Sequence, residues 1–201
     1  MQVVLLVCGG MHPLSYTGQV LAAIARDEDL SRRSTAICAP HSSLGVISPF
    51  ALRQTLEAHL GITVDGVTLN AAPPLIIWAF SAGCVGAAAL ATYWQRHRGP
   101  VLALCMVDGW GVPRDPEVPV HRLSHDGFTH HTSGWLGTGD LDFYAEPGVP
   151  HLTLWQQPQA VAGWSVEAGH RKRLTAADFL SQRSRAAIDR YRTNGHGLSP
   201  S

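Results

Sequence analysis

The amino-acid sequence predicts a single α/β domain built around a doubly wound, mostly parallel β-sheet. Two observations lead to this prediction. The chain has 201 residues, and a chain of that length folds as one domain around one sizeable core. Short apolar runs alternate along it with segments of helical spacing, and this alternation implies right-handed crossovers between parallel strands.

The first half of the chain contains two predicted strand–helix units. Val3–Cys8 is a continuous apolar run that ends at a glycine pair, which is typical of a strand buried on both faces of a parallel sheet. Residues 17–26 follow it with apolar side chains at helical spacing. Residues 35–39 form a second apolar run. Residues 49–60 are predicted as a helix, because proline lies in the first turn and glycine beyond the end.

The second half of the chain repeats the unit. Leu75–Phe80 is predicted as the third strand, residues 82–97 as an alanine-rich helix, and Val101–Val107 as the fourth strand. A fifth strand is expected at residues 151–155, where the sequence reads HLTLW.

The carboxyl-terminal part of the domain is predicted to be one long helix. It covers residues 175–191, and Thr175 is a suitable N-cap residue at its start. We therefore expect a folded domain over residues 1–192 and a flexible tail at 193–201, where the sequence is rich in glycine and serine.

Residues 109–150 interrupt the alternation of strands and helices. These 42 residues contain seven glycines and five prolines, and the segment is too long for an ordinary connection. It also carries aromatic side chains that need a surface to pack on. We therefore expect residues 109–150 to form an ordered, loop-rich cap over one end of the sheet.

The charge balance disfavours several classes of partner. Lys and Arg together number 15, as do Asp and Glu, so the formal net charge is zero and gives no overall attraction to nucleic acid or anionic lipid. The four cysteines adjoin apolar runs without a C-x-x-C pair, which indicates reduced thiols and a cytoplasmic protein.

Residues 71–94 contain no charged residue and are long enough for a membrane span. Two prolines open the segment, its first half is rich in isoleucine and tryptophan, and its second half is mostly alanine and glycine. A strand followed by a closely packed helix explains this change of composition, so we expect no membrane span.

The most specific local signal surrounds Ser81, between a predicted strand and a predicted helix. Residues 79–83 read A-F-S-A-G, a variant of the G-x-S-x-G nucleophile elbow. The turn is so tight that only small residues fit two positions before and after the serine. In such a turn the hydroxyl projects above the strand, and the N–H of Ala82 can stabilise an oxyanion. The alternative is a serine in an ordinary strand–helix turn.

With this elbow, the sequence resembles the α/β-hydrolase superfamily from the first strand to the last helix. The resemblance implies a three-layer sandwich that lacks the amino-terminal pair of strands. The loop at residues 9–13 is similar to the family's His-Gly-Gly type of loop. The resemblance makes the backbone N–H of Gly10 or Met11 the second oxyanion donor.

A serine nucleophile needs a base and an acid. The resemblance places the acid after HLTLW, where this sequence has glutamines, or at the neighbouring strand end, where it has Asp108. Asp108 could equally cap the following glycine-rich turn. His170 has the chain position of the family's base, but we favour His125 slightly, because it lies in a dense group of histidines. Residues expected to orient these groups or to contact substrate are His12, Trp110, His121, Asp126 and His130.

The same histidines allow a metal site as an alternative. His121 and His125 are four residues apart, so a helix would place both on one face, and Asp126 or His130 could complete a zinc site. The prolines and glycines nearby argue against such a helix. We therefore expect neither a metal nor another cofactor.

The sequence thus predicts a serine hydrolase acting on a small-molecule ester or thioester of the acyl class, and acyl transfer would use the same site. The alternatives are a non-catalytic binding protein of the same fold, which the absent acid after HLTLW favours, and a metal-binding cap. The sequence does not indicate the oligomeric state.

Overall fold

A computed structural model describes residues 2–39, 44–61, 72–167 and 170–195. Within these residues the strands are β1 (Val3–Cys8), β2 (Ser34–Cys38), β3 (Leu75–Phe80), β4 (Val101–Val107), β5 (Val120–Ser124), β6 (Leu141–Ala145), β7 (Ala162–Glu167) and β8 (His170–Thr175). The helices are α1 (Leu14–Arg26), α2 (Glu28–Arg33), α3 (Pro49–His59), α4 (Gly83–His97), α5 (Gly127–Ser133), α6 (His151–Gln156) and α7 (Ala176–Gly195), with a 3-10 turn at Gly134–Leu136.

The strands of the described residues form one eight-stranded sheet in the order β2-β1-β3-β4-β5-β6-β7-β8. Neighbouring strands from β2 to β6 are parallel, whereas β6, β7 and β8 pair antiparallel. The chain leaves β1 towards β2 and later returns beside β1 as β3. The strand order therefore reverses between β1 and β3, and crevices at such points are where open α/β sheets bind ligands.

The sheet is the middle of three layers. The side chains of β1 alternate between two apolar clusters, one on each face of the sheet. The first cluster contains Val3, Leu5 and Val7, and the second contains Val4, Leu6 and Cys8. The first cluster includes residues of α1, α2, α6 and α7, and the second includes residues of α3 and α4. Because both faces are covered, β1, β3 and β4 are buried along their whole length. The fold is the predicted doubly wound α/β sandwich.

Several elements match the sequence prediction closely. The bounds of β1, β3 and β4 are those of the predicted apolar runs. Thr175 caps α7, since its hydroxyl accepts a hydrogen bond from the N–H of Asp178 at 3.1 Å. These elements depend on short-range patterns that the sequence displays directly.

The predicted strand at residues 151–155 is wrong, because these residues form α6. Leu154 and Trp155 are buried, but the preceding Leu152 is partly exposed. Two consecutive buried residues pack one side of a short helix, whereas a strand would have pointed them to opposite faces.

Residues 109–150 contribute more to the fold than a cap. They contain β5, α5, the 3-10 turn and β6, so they extend the sheet by two parallel strands. Their apolar side chains, such as Val120, Leu123, Phe143 and Ala145, complete the two clusters on the sheet. Strands of five residues separated by turns were too short to stand out among the glycines and prolines.

The end of the chain also differs from the prediction. Helix α7 continues to Gly195, so residues 193–195 are helical, and residues 196–201 of the predicted tail lie outside the described residues. In the part of the chain that the structure describes, no helix combines the length and the hydropathy needed to cross a membrane. The four cysteines are free thiols.

Candidate active site

Ser81 follows β3 directly, at the carboxyl edge of the sheet. Its φ of +53° lies in the left-handed region, which a non-glycine residue adopts only when its surroundings impose it. A Cβ at Gly83 would collide with the carbonyl oxygens of Gly9 and Cys8, so α4 begins in direct contact with the end of β1. This close approach explains the small residue two positions after Ser81.

His151 connects Ser81 to Asp108. The Oγ of Ser81 lies 3.1 Å from Nε2 of His151, and Nδ1 of the same ring lies 2.7 Å from Oδ2 of Asp108. With the ring proton on Nδ1, His151 donates to the carboxylate and accepts from the serine hydroxyl. This is the arrangement in which an imidazole removes the proton of a serine nucleophile.

Asp108 follows β4 at the same edge of the sheet and is nearly buried, with 3% of its side chain exposed. Its backbone N–H donates to the carbonyl of Leu123 at the end of β5. Oδ1 accepts a hydrogen bond from the backbone N–H of His125 at 2.9 Å, and Oδ2 lies 3.0 Å from Nδ1 of the same residue. Both oxygens of the carboxylate are therefore held by the end of the neighbouring strand.

An aromatic ring packs against the imidazole of His151. The ring of Phe80 stacks on the imidazole of His151 with a centroid distance of 4.7 Å and on Trp155 at 5.4 Å. Phe80 is the last residue of β3, immediately before Ser81. The residue that supports the imidazole and the serine that the imidazole contacts are thus adjacent in the chain.

The loop after β1 passes close beside Ser81. A Cβ placed on Gly10 would lie 3.1 Å from the carbonyl oxygen of Phe80 and 3.2 Å from Cβ of Ser81. Ala82 immediately precedes α4, and the first N–H groups of a helix have no acceptor within it. The backbones of Gly10 and Ala82, two of the predicted oxyanion donors, therefore flank Ser81. The side chain of Met11, the third, is exposed.

Neither residue predicted as the base contacts Ser81 in the structure. His125 contacts Asp108 and lies edge-on to the ring of His151, with a centroid distance of 5.9 Å, instead of contacting the serine. His170 is exposed on β8, five strand positions from β3, or about 24 Å at the usual spacing of neighbouring strands. Both expectations are corrected, because the histidine within hydrogen-bonding distance of Ser81 is His151.

The residues predicted to contact substrate are dispersed. His12 is buried beside Tyr16 and Phe80. His121 is buried on β5, edge-on to Phe179, and burial lowers its pKa to about 4. Neither of these two imidazoles lies in an open cleft, so their predicted role is corrected.

The three other predicted contact residues lie nearer the surface. Asp126 caps α5, and the hydrogen bond from the N–H of Thr129 is the main interaction that lowers its pKa below the usual range. His130 stacks on Tyr144, and partial burial lowers its pKa. Trp110 is 60% exposed, two residues after Asp108.

The chain order Ser, Asp, His typical of the elbow-containing hydrolases holds for His151, and equally for His125 and His170. His151 directly follows Pro150, which ends an extended connection and precedes the first turn of α6. Assigning residues 151–155 to a strand hid the start of this helix.

The structure does not assemble the alternative metal site, in which Asp126 or His130 would complete a pair formed by His121 and His125. His121 faces the core, and His130 packs on Tyr144. Among the described residues, one group of His, Cys, Asp and Glu side chains is close enough to hold a cation, and it consists of Asp108, His125 and His151. One ligand atom from each lies within 4.8 Å of the others.

Comparison with known proteins finds no matching family model and no matching curated sequence. Among solved structures, the chain is similar to a cutinase-like protein from Cryptococcus sp., with 13% identity over 53% of each chain and a TM-score of 0.37. The match thus spans about half the length of that protein. A similarity this low carries no argument about activity, and the chemistry must be argued from the site itself.

Proposed function

We propose that this protein is a serine hydrolase that cleaves an ester or thioester of the acyl class. The observation that carries the proposal is the pair of contacts made by His151, at 3.1 Å to Ser81 and 2.7 Å to Asp108. A serine with its base in hydrogen-bond reach, and a base oriented by a buried carboxylate, is the arrangement that activates a hydroxyl for attack.

In the proposed reaction, Nε2 of His151 takes the hydroxyl proton while Oγ of Ser81 attacks the acyl carbonyl. The negative oxygen that forms is stabilised by the N–H of Ala82 and by an N–H of the loop that contains Gly10 and Met11. His151 then returns the proton to the leaving alcohol or thiol. Water, activated by the same imidazole, releases the acyl group from Ser81 and restores the enzyme.

Exposed apolar side chains next to the site support an acyl or other partly hydrophobic substrate. Met11 follows Gly10, Trp110 follows Asp108 by two residues, and Leu152 follows His151, and all three have exposed side chains. Apolar groups beside a few polar catalytic groups are typical of sites that bind small organic molecules.

A fluorophosphonate probe tests the proposal, because it reacts with a serine only when the hydroxyl is activated. We expect the wild-type protein to be labelled and Ser81→Ala to be unlabelled. His151→Ala should be labelled at least a hundredfold more slowly, since removing a general base costs about that much or more. His170→Ala is the matched histidine control and should react like the wild type.

Three outcomes would contradict the proposal. Absence of labelling in folded wild-type protein would favour a non-catalytic binding protein. Undiminished labelling of Ser81→Ala would place the reactive serine elsewhere. Full reactivity of His151→Ala would exclude this imidazole as the base.

A further inference from the structure

Two imidazoles converge on one oxygen of Asp108. Oδ2 lies 2.7 Å from Nδ1 of His151 and 3.0 Å from Nδ1 of His125. The proton transfer proposed above requires His151 alone, so His125 has no role in it beyond holding the carboxylate. Two imidazole nitrogens and a carboxylate oxygen are a usual set of protein ligands for zinc.

The outer nitrogen of His125 also faces a carboxylate. Its Nε2 lies 3.5 Å from Oδ2 of Asp126, whose Oδ1 accepts a hydrogen bond from the N–H of Thr129 at the start of α5. Histidines that bind a metal through one nitrogen commonly donate the N–H of the other to a carboxylate, which fixes the ring and its tautomer. The carboxylate of Asp126 lies near enough to His125 to become such a partner.

The site is accessible to an ion from solvent. The side chain of Asp108 is nearly buried, but those of His125 and His151 are 24% and 41% exposed. Tetrahedral zinc holds its ligand atoms about 3.4 Å apart, whereas the three atoms here lie within 4.8 Å of one another and the two nitrogens lie 2.7 and 3.0 Å from Oδ2, so modest rotations of the two imidazoles are needed. A fourth position remains for water.

We propose that Asp108, His125 and His151 bind Zn²⁺ or a similar divalent transition metal, and that this binding inhibits the hydrolase. The inhibition rests on the proposed function, whereas the metal site does not. Two nitrogen donors favour zinc over magnesium or calcium, which prefer oxygen ligands.

Inhibition follows from the position of the imidazole proton. When the metal binds Nδ1 of His151, the ring's single proton moves from Nδ1 to Nε2, and no proton leaves the ring. Nε2–H then donates to Oγ of Ser81 and cannot accept its proton, so the serine is no longer activated. His125 undergoes the same change, and its Nε2–H donates to Oδ2 of Asp126.

The first test measures binding without using activity. Protein freed of metal with EDTA is titrated with Co²⁺, whose visible absorbance reports tetrahedral coordination, and then with Zn²⁺ in competition. We expect one equivalent to bind to the wild type and equally to Ser81→Ala. Binding should weaken at least tenfold in His125→Ala and in His125→Gln, which retains a polar side chain. His131→Ala, an exposed histidine on α5, is the control and should bind normally.

The second test measures labelling of Ser81 by the fluorophosphonate as Zn²⁺ is added. Labelling of the wild type should fall over the concentration range in which the metal binds and return on addition of EDTA. The His125 variants, each compared with its own metal-free rate, should need at least tenfold more zinc. Unlabelled metal-free wild type would contradict the proposed function, while the Co²⁺ titration would still decide the metal site.

Two results would overturn the inference. Unchanged metal binding by both His125 variants would assign the ion to other histidines. Zinc-dependent ester cleavage by Ser81→Ala would show that the bound metal supports hydrolysis instead of inhibiting it.

Discussion

At the scale of single residues, Asp108 combines an unusual backbone conformation with a buried carboxylate. Its φ is +50°, its carboxylate is nearly buried, and its two oxygens lie next to polar nitrogens of His125 and His151. The negative charge is tolerated there because N–H groups surround it. The same contacts fix the direction in which Oδ2 faces His151, and hence the tautomer of the base.

We expect Asp108→Asn to lower kcat for ester cleavage by about four orders of magnitude, as loss of the orienting carboxylate does in a serine triad. Asparagine has nearly the same shape and tolerates positive φ, so the backbone should be retained. The measurement is kcat with a chromogenic ester, alongside circular dichroism to verify folding. A loss of less than tenfold would mean that Asp108 does not orient the base.

At the scale of elements, the turn between β3 and α4 determines where the nucleophile lies. The turn can pack directly against the end of β1 because the chain has small residues at this contact. Gly83 is required there by packing, since a side-chain carbon would meet the backbone of Gly9. Gly18 in α1 is different, because a Cβ there would meet nothing within 4 Å.

This contrast makes a matched pair of substitutions. Gly83→Ala should lower the free energy of unfolding by about 1–3 kcal/mol, because a methyl group is forced against backbone atoms. Gly18→Ala should raise it by up to about 1 kcal/mol, because alanine favours the helix at an exposed position. Urea denaturation of both variants checks the prediction, and equal effects of the two substitutions would contradict it.

The elements also differ in how well the sequence predicted them. β1, β3 and β4 are buried on both faces and are therefore continuous apolar runs. β5 and β6 contain Arg122 and Asp142, whose polar side chains are accommodated by local hydrogen bonds. Such strands lack an uninterrupted apolar pattern, so short-range sequence rules assign them to loops.

At the scale of the whole molecule, buried titratable groups couple the folding free energy to pH. His121 lies inside the sandwich beside Phe179, and burial lowers its pKa from 6.5 to about 4. The unfolded chain therefore binds a proton between these two values that the folded protein does not. The stability associated with neutral His121 is fully present above pH 6.5 and is lost as the pH falls towards 4.

This linkage predicts that the free energy of unfolding is about 2 kcal/mol lower at pH 5 than at pH 7.5 through His121 alone. His121→Leu removes the group and should reduce the pH dependence by that amount. Other titrating groups, including His130 and Asp142, are common to both proteins and cancel in the comparison. Denaturant titrations at the two pH values make the measurement. Equal pH dependence of wild type and variant would contradict it.

The alternation of strands and helices, the tight turn at Ser81 and the position of Asp108 at a strand end are all visible in the sequence. They depend on neighbouring residues: apolar runs, small side chains and the residue that follows a strand. The identity of the histidine beside Ser81 has a different origin. Three histidines were possible partners of the serine: His125 follows β5, His151 begins α6 and His170 begins β8. Their distances from Ser81 depend on the order in which the strands pair. That order arises from contacts between residues far apart in the chain, so it is the folded structure that brings His151 to the serine.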